Sequence, residues 1–367
     1  NGVTVKPGAI VRAVVGGAGG AWMPLLAQVT LLALLAQVVG DTASVTPESC
    51  APKRAHFLRR RGRYRADGGV RRYAPPLLWT VPGSGNTMMR QLLEFATLVR
   101  TGSVQHDSRL IASGLLGEGR VNHDVVVVKV HRTAFSPEPP VHLQKNKRAG
   151  VEPMAWKGLA VTAAIAIVRD PFNAYFAQYQ LKHTAFGSHA SRLETAKFQP
   201  ADFAKDALRF AQLWNRTLFE YDDFSRMRCF DRVRRVPDLG QQLDDNCRLG
   251  VWRFEALTNK AERMRTFTQI VGFLKLPPEL VPNRAQVQCA FTLTDVAGDK
   301  IRRSHDDGNG RYLTREVAFS SAERARPGVL CAFWAIVREH AVRLGYAPYK
   351  NMTHSLRRAA GSRHNSG

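Results

Sequence analysis

Residues 82–87 read Pro82-Gly83-Ser84-Gly85-Asn86-Thr87, directly after the apolar run 77–81 and directly before Met88, Met89, Leu92, Leu93 and Phe95 at helical spacing. A strand, a glycine-containing turn and a helix amino terminus together make an anion site, because unpaired backbone N–H groups and the helix dipole converge on one point. Gly83 and Gly85 let the backbone approach an anion closely, and Ser84, Asn86 and Thr87 add side-chain hydrogen bonds. The plainer alternative is an ordinary strand-to-helix turn with Asn86 or Thr87 near the cap. The lysine of the G-x-x-x-x-G-K-[ST] phosphate loop is missing, which argues against an ATPase or GTPase.

Two further segments end in polar residues. The run VVVVKVH at 125–131 is β-branched and closes on Lys129 and His131. That places both at the carboxy-terminal edge of a strand, where open parallel sheets bind ligands. The run AAIAIVRDP at 163–171 passes from a buried strand to Arg169, Asp170 and Pro171, with the proline suited to a first helical turn. A structural histidine and a capped helix start are the bland readings of these two.

Positioning these residues requires strands at 77–81, 125–130, 163–168 and 251–254, alternating with helices at 87–99, 172–182, 201–221 and 261–274. That alternation predicts an α/β fold, a parallel sheet flanked by helices on both faces. The 367 residues, 44% of them hydrophobic, suffice for one domain-sized core. The folded domain is expected over 73–350, after a flank at 1–12, an apolar segment at 13–40 and a basic stem at 41–72, and before a basic tail at 351–367.

The apolar segment carries no charge and is long enough to span a bilayer. An uncleaved signal anchor is favoured over a cleaved signal, with a core helix as the third reading. Lys6 and Arg12 precede it while Lys53, Arg54 and Arg59 follow, so the charges do not favour a lumenal carboxy-terminal domain. Sequons at Asn215 and Asn351 lean the other way. Of the five cysteines, Cys229 and Cys247 bracket a charged stretch that a disulfide could close, isolated thiols being the alternative. No cysteine or histidine spacing indicates a structural zinc site. The net charge of +23, from 53 basic and 30 acidic residues, favours anionic partners. No recognition-helix or aromatic-interleaved pattern supports nucleic acid as that partner.

The segment WTVPGSGNTMMRQLLE at 79–94 resembles the 5′-phosphosulfate loop of sulfotransferases that use 3′-phosphoadenosine 5′-phosphosulfate (PAPS), in the form found in WSC-domain-containing members. Lys129 and His131 resemble the K-T-H strand end of that family, with Val130 for threonine, and Arg169-Asp170-Pro171 resembles its R-[DN]-P triplet. Val251 to Leu257 is similar to its F-E-D-L strand end, with Ala256 for aspartate, and is assigned a structural role. Ile301-Arg302-Arg303-Ser304 is similar to its late basic loop, with His305 for glycine. No WSC module precedes the matched region, which runs from about Leu77 to about Tyr349.

The resemblance implies a sulfotransferase fold of P-loop type and PAPS as co-substrate, held by Pro82, Gly83, Ser84, Gly85, Asn86 and Thr87, by Arg169 on the 3′-phosphate, and by Arg303. It implies His131 as general base, with Lys129 near the sulfuryl group or its loop. Imidazole titrates in the range such a base needs. Gly83 stands where many members have lysine or arginine, and Arg90, one turn beyond Asn86, is the candidate replacement. Ala177 stands where many have a serine that contacts the 3′-phosphate. The implied acceptor is a glycan hydroxyl, anionic if sialylated, with no metal required and the domain facing the Golgi lumen from a single-pass anchor. A phosphate-loop kinase-like enzyme and a sulfotransferase-fold binding protein without turnover are the rival readings.

Overall fold

Continuous apolar runs become strands only where both faces of a sheet are covered. In the computed structural model the runs at 77–80 and 163–168 do so, every residue in them buried. The structure describes residues 50, 55–58, 63–66, 69–72, 75–131, 163–184, 193–226, 248–303 and 312–349, all inside one compact unit at 45–367. A hairpin of β1 (Arg63–Ala66) and β2 (Gly69–Arg72) precedes β3 (Leu77–Thr80) and α1 (Asn86–Thr97). Then follow β4 (Gly102–Ser103), α2 (Ser108–Ala112), β5 (Val128–Val130), β6 (Ala163–Val168), α3 (Pro171–His183) and α4 (Pro200–Arg226). The chain continues with β7 (Arg248–Arg253), α5 (Phe254–Thr258), α6 (Arg263–Leu274), α7 (Arg284–Arg303), α8 (Arg315–Ala325) and α9 (Val329–Arg343).

The main sheet has five strands in the order β4-β5-β3-β6-β7, and every pairing is parallel. β3 is central; the chain leaves it toward β4 and β5 on one side and reaches β6 and β7 on the other. This is a reversal point of the kind at which open α/β sheets bind ligands. Side chains alternate along each strand. Trp79, Val130, Ala164 and Ala166 therefore face the aromatic layer of Phe172, Trp214, Phe319 and Phe333 from α3, α4, α8 and α9. Leu78, Val127, Ile165 and Ile167 face Met89, Leu93, Ile270 and Phe291 from α1, α6 and α7.

The expected α/β architecture and its parallel sheet are observed. Three features differ from the sequence reading. The stretch expected to be a stem takes part in the fold: His56 bridges Val99, Leu58 N donates to Asp124 O at 2.8 Å, and Phe57 lies 3.9 Å beneath the Arg120 guanidinium. Cys50 is bonded to Cys289 of α7, a pairing across 239 residues that spacing does not reveal, while Cys229 and Cys247 lie outside the described residues. Ile301 to Arg303, expected in a loop, form the last turn of α7; Ser304 and His305 lie outside the described residues.

No helix among the described residues is long and apolar enough to cross a membrane, and the segment 13–40 lies outside them. The Asn215 sequon sits mid-way along α4, with Thr217 buried and its hydroxyl donating to Leu213 O at 2.8 Å. A glycan there would require that turn of helix to open. Asn351 is outside the described residues.

A disulfide across so long a loop restricts the unfolded chain strongly. Removing Cys289 as Cys289→Ser, or adding reductant, is expected to lower stability by about 2–5 kcal/mol. Urea unfolding with and without dithiothreitol measures this, and coincident midpoints would show that the bridge contributes nothing.

Candidate active site

The carboxy-terminal ends of β3, β5, β6 and β7 lie along one edge of the sheet, and the residues singled out by sequence gather there. The β3–α1 turn makes two positive-φ steps, Gly83 at 82° and Gly85 at 84°. Gly85 is the N-cap of α1 and gives the helix no side-chain cap. The first helical N–H groups therefore lack an intrahelical acceptor. Ser84 is fully buried, and its Oγ has no hydrogen-bond partner; the same holds for Asn86 Oδ1. Buried polar atoms are nearly always paired. Ser84 Oγ and the N–H groups of the uncapped helix start can donate to an anion, whereas Asn86 Oδ1 can only accept.

The turn has no room for side chains at its glycines. A Cβ on Gly83 would lie 2.1 Å from Ala174 O of α3, and one on Gly85 would lie 2.1 Å from the Phe254 ring. Gly83 is thus where it is because the turn packs on the backbone of α3. A lysine or arginine there would have to push that helix away. Gly83→Lys is expected to cost upward of about 1–3 kcal/mol from the positive φ alone, read as a fall in melting temperature. An undisturbed melting temperature would refute this packing account.

His131 follows β5 beside the end of β3, as the register Trp79 to Val130 requires. Its Nδ1 lies 3.2 Å from Thr80 O and 3.3 Å from Thr80 Oγ1, and Asn86 Nδ2 donates to that same Oγ1 at 2.8 Å. A carbonyl oxygen only accepts, so in the tautomer that binds Thr80 O the proton sits on Nδ1 and Nε2 is the basic nitrogen; the Thr80 hydroxyl, which can donate to Nδ1, would serve the other tautomer. Thr80 was not singled out from sequence. As the polar last residue of an otherwise apolar strand, it carried a readable signal.

Lys129 is buried and shares a sheet face with His131. Burial lowers its pKa, the Glu118 carboxylate opposes that, and Arg90 adds to the lowering. Arg90 belongs to a buried polar cluster. It is fully buried, its Nε donating to Thr101 Oγ1 at 2.8 Å and its Nη1 to Glu118 Oε1. Arg90, the candidate replacement for the missing loop cation, is thus paired with Glu118 through Nη1, while its Nη2 has no hydrogen-bond partner.

Arg169 follows β6 on the opposite side of the turn from His131. Its Nη1 donates to Gly83 O at 3.0 Å, and its guanidinium carbon lies 4.7 Å from the centre of the Phe254 ring. Burial lowers its pKa, and the Glu255 and Asp170 carboxylates oppose this. Asp170 caps α3 through Asn173 N at 2.9 Å, as Pro171 in the first turn led one to expect. Phe254 and Glu255, read from sequence as structural, stand at the site's wall. The backbone of Arg303 ends α7, and its side chain lies outside the described residues.

Turn, histidine and arginine therefore gather at one strand edge of a parallel α/β fold. No family model matches the chain. Parts of it are similar to curated proteins named as WSCD family members. One, of Aedes aegypti, is 35% identical over 114 residues, covering 30% of each chain. Another, of Drosophila pseudoobscura pseudoobscura, is 30% identical over 148 residues, covering 39% of this chain and 40% of the relative. A third, of Drosophila melanogaster, is 32% identical over 114 residues, again 30% of each. The chain spans between 30% and 40% of the length of these relatives. The similarity supports kinship with the WSC-domain-containing group over that part.

Proposed function

We propose that this chain is a sulfotransferase that moves a sulfuryl group from PAPS to a hydroxyl of a glycan or related acceptor. The observation that carries the reading is the buried Ser84 Oγ, without a hydrogen-bond partner at the uncapped start of α1, with His131 on one side and Arg169 on the other. The turn from Pro82 to Thr87 would hold the 5′-phosphosulfate, and Arg169 the 3′-phosphate, to which guanidinium offers a two-pronged grip. His131 Nε2 takes the acceptor's proton as the acceptor oxygen bonds to sulfur. The bond from sulfur to the bridging phosphate oxygen breaks, and adenosine 3′,5′-bisphosphate leaves. Backbone N–H groups of the turn offset charge on the transferring oxygens.

With no cation at position 83, a second reading is a binding protein that holds the nucleotide without turning it over. The Cys50–Cys289 bond suits an oxidising compartment such as the Golgi lumen, and anchoring through 13–40 belongs to the same proposal. The test is sulfate transfer from radiolabelled PAPS to a panel of glycans and simple alcohols, with melting temperature measured alongside. Transfer supports the enzyme. Stabilisation by PAPS with no transfer to any acceptor favours the binding protein, and neither effect sinks both.

A further inference from the structure

We propose that Glu255 is a positioning residue for Arg169, clamping the amide that follows the arginine with Tyr346 as its support; this rests on the donor reading above. β6 and β7 are paired so that Val168 lies opposite Arg253, which brings the turn after each strand against the other. Glu255 Oε1 accepts from Asp170 N at 3.0 Å, the amide that follows Arg169. Glu255 Oε2 accepts from Tyr346 Oη at 2.9 Å, and the same hydroxyl lies 3.0 Å from Val168 O, the carbonyl that precedes Arg169. Trp214 Nε1 donates to Arg169 O at 3.3 Å. The Asp170 amide is thereby tied to the Glu255 carboxylate directly, while the single Tyr346 hydroxyl proton serves Glu255 Oε2 or Val168 O, one at a time.

The same carboxylate is the leading charge that opposes the effect of burial on the Arg169 guanidinium. Asp170, the other carboxylate nearby, is committed to the α3 cap. Phe254, the neighbour of Glu255, supplies the ring on which the guanidinium lies. One short segment, Phe254-Glu255, therefore sets the plane, the charge and the backbone of the arginine. Tyr346 brings the segment after α9 into the same clamp, although it lies 91 residues from Glu255. Groups that orient a binding side chain in this way typically matter 10–100-fold when removed, by analogy with the partners of metal ligands.

The experiment uses the full chain and compares affinities for adenosine 3′,5′-bisphosphate and adenosine 5′-phosphate by calorimetry. The ratio isolates the 3′-phosphate. Glu255→Gln, which keeps the shape and removes the charge, is expected to lower that ratio about 10-fold, with the 5′-phosphate affinity within about 2-fold of the parent. Tyr346→Phe is expected to lower it about 3-fold, a fraction of the charged effect, and stands in if the first variant fails to fold. A ratio unchanged from the parent, or an equal weakening of both nucleotides, overturns the positioning role. A parent that does not prefer the bisphosphate overturns the donor reading, and this inference with it.

Discussion

His131→Ala is expected to lower sulfuryl transfer by about 100-fold or more, the low end of what a positioned general base contributes. The expectation rests on the tautomer. In the tautomer in which Nδ1 donates to Thr80 O at 3.2 Å, Nε2 is the basic nitrogen. Asn86, whose Nδ2 binds Thr80 Oγ1, ties the histidine's support to the turn itself. The loss should fall on kcat, because a base acts on the reacting proton and not on donor binding. PAPS should still raise the melting temperature of the variant. Transfer within about 3-fold of the parent would remove His131 from the mechanism, since even a weak base contributes more than that.

The second large effect is on stability. Arg90 and Glu118 are fully buried and paired, and Glu94 braces the same cluster by accepting from both Thr101 N and Thr101 Oγ1. Glu118→Ala leaves a guanidinium in the interior without its counter-charge, which is expected to cost about 3–5 kcal/mol. The same pair is not required for stability as such. Arg90→Met combined with Glu118→Leu replaces both charges by apolar groups and is expected to recover most or all of the loss. Denaturant midpoints of the parent, the single and the double variant test this. A single variant that costs under about 1 kcal/mol would mean that the pair is solvated in solution. Because Arg90 lies one turn into α1, the single variant should also weaken PAPS binding by loosening the helix start.

These two sites divide what could be read from the chain. The strand at 163–168 was legible to the residue, and that at 77–81 to within one, because they are buried on both faces and so appear as continuous apolar runs. The last strand, expected at 251–254, is β7 at Arg248–Arg253. It is the edge strand, half exposed, so its pattern is broken by Arg248, Gly250 and Arg253. β4 has two residues, too few for any periodicity. α7 went unread because its described buried stripe is thin, essentially Val287, Ala290 and Phe291 among polar residues.

The amino-acid sequence by itself determined the α/β class, the turn from Pro82 to Thr87 and the placement of His131 and Arg169 at strand ends, since each follows from hydrophobic patterning and glycine chemistry within a few residues. Only the tertiary structure decided where Arg90 points, why position 83 is glycine, how Cys50 meets Cys289, and that Glu255 and Tyr346 bracket Arg169. In each of those cases the deciding partner is distant in sequence: Glu118 is 28 residues from Arg90, and Cys289 is 239 from Cys50. A side chain's destination is set by the groups that surround it, and local sequence does not contain them.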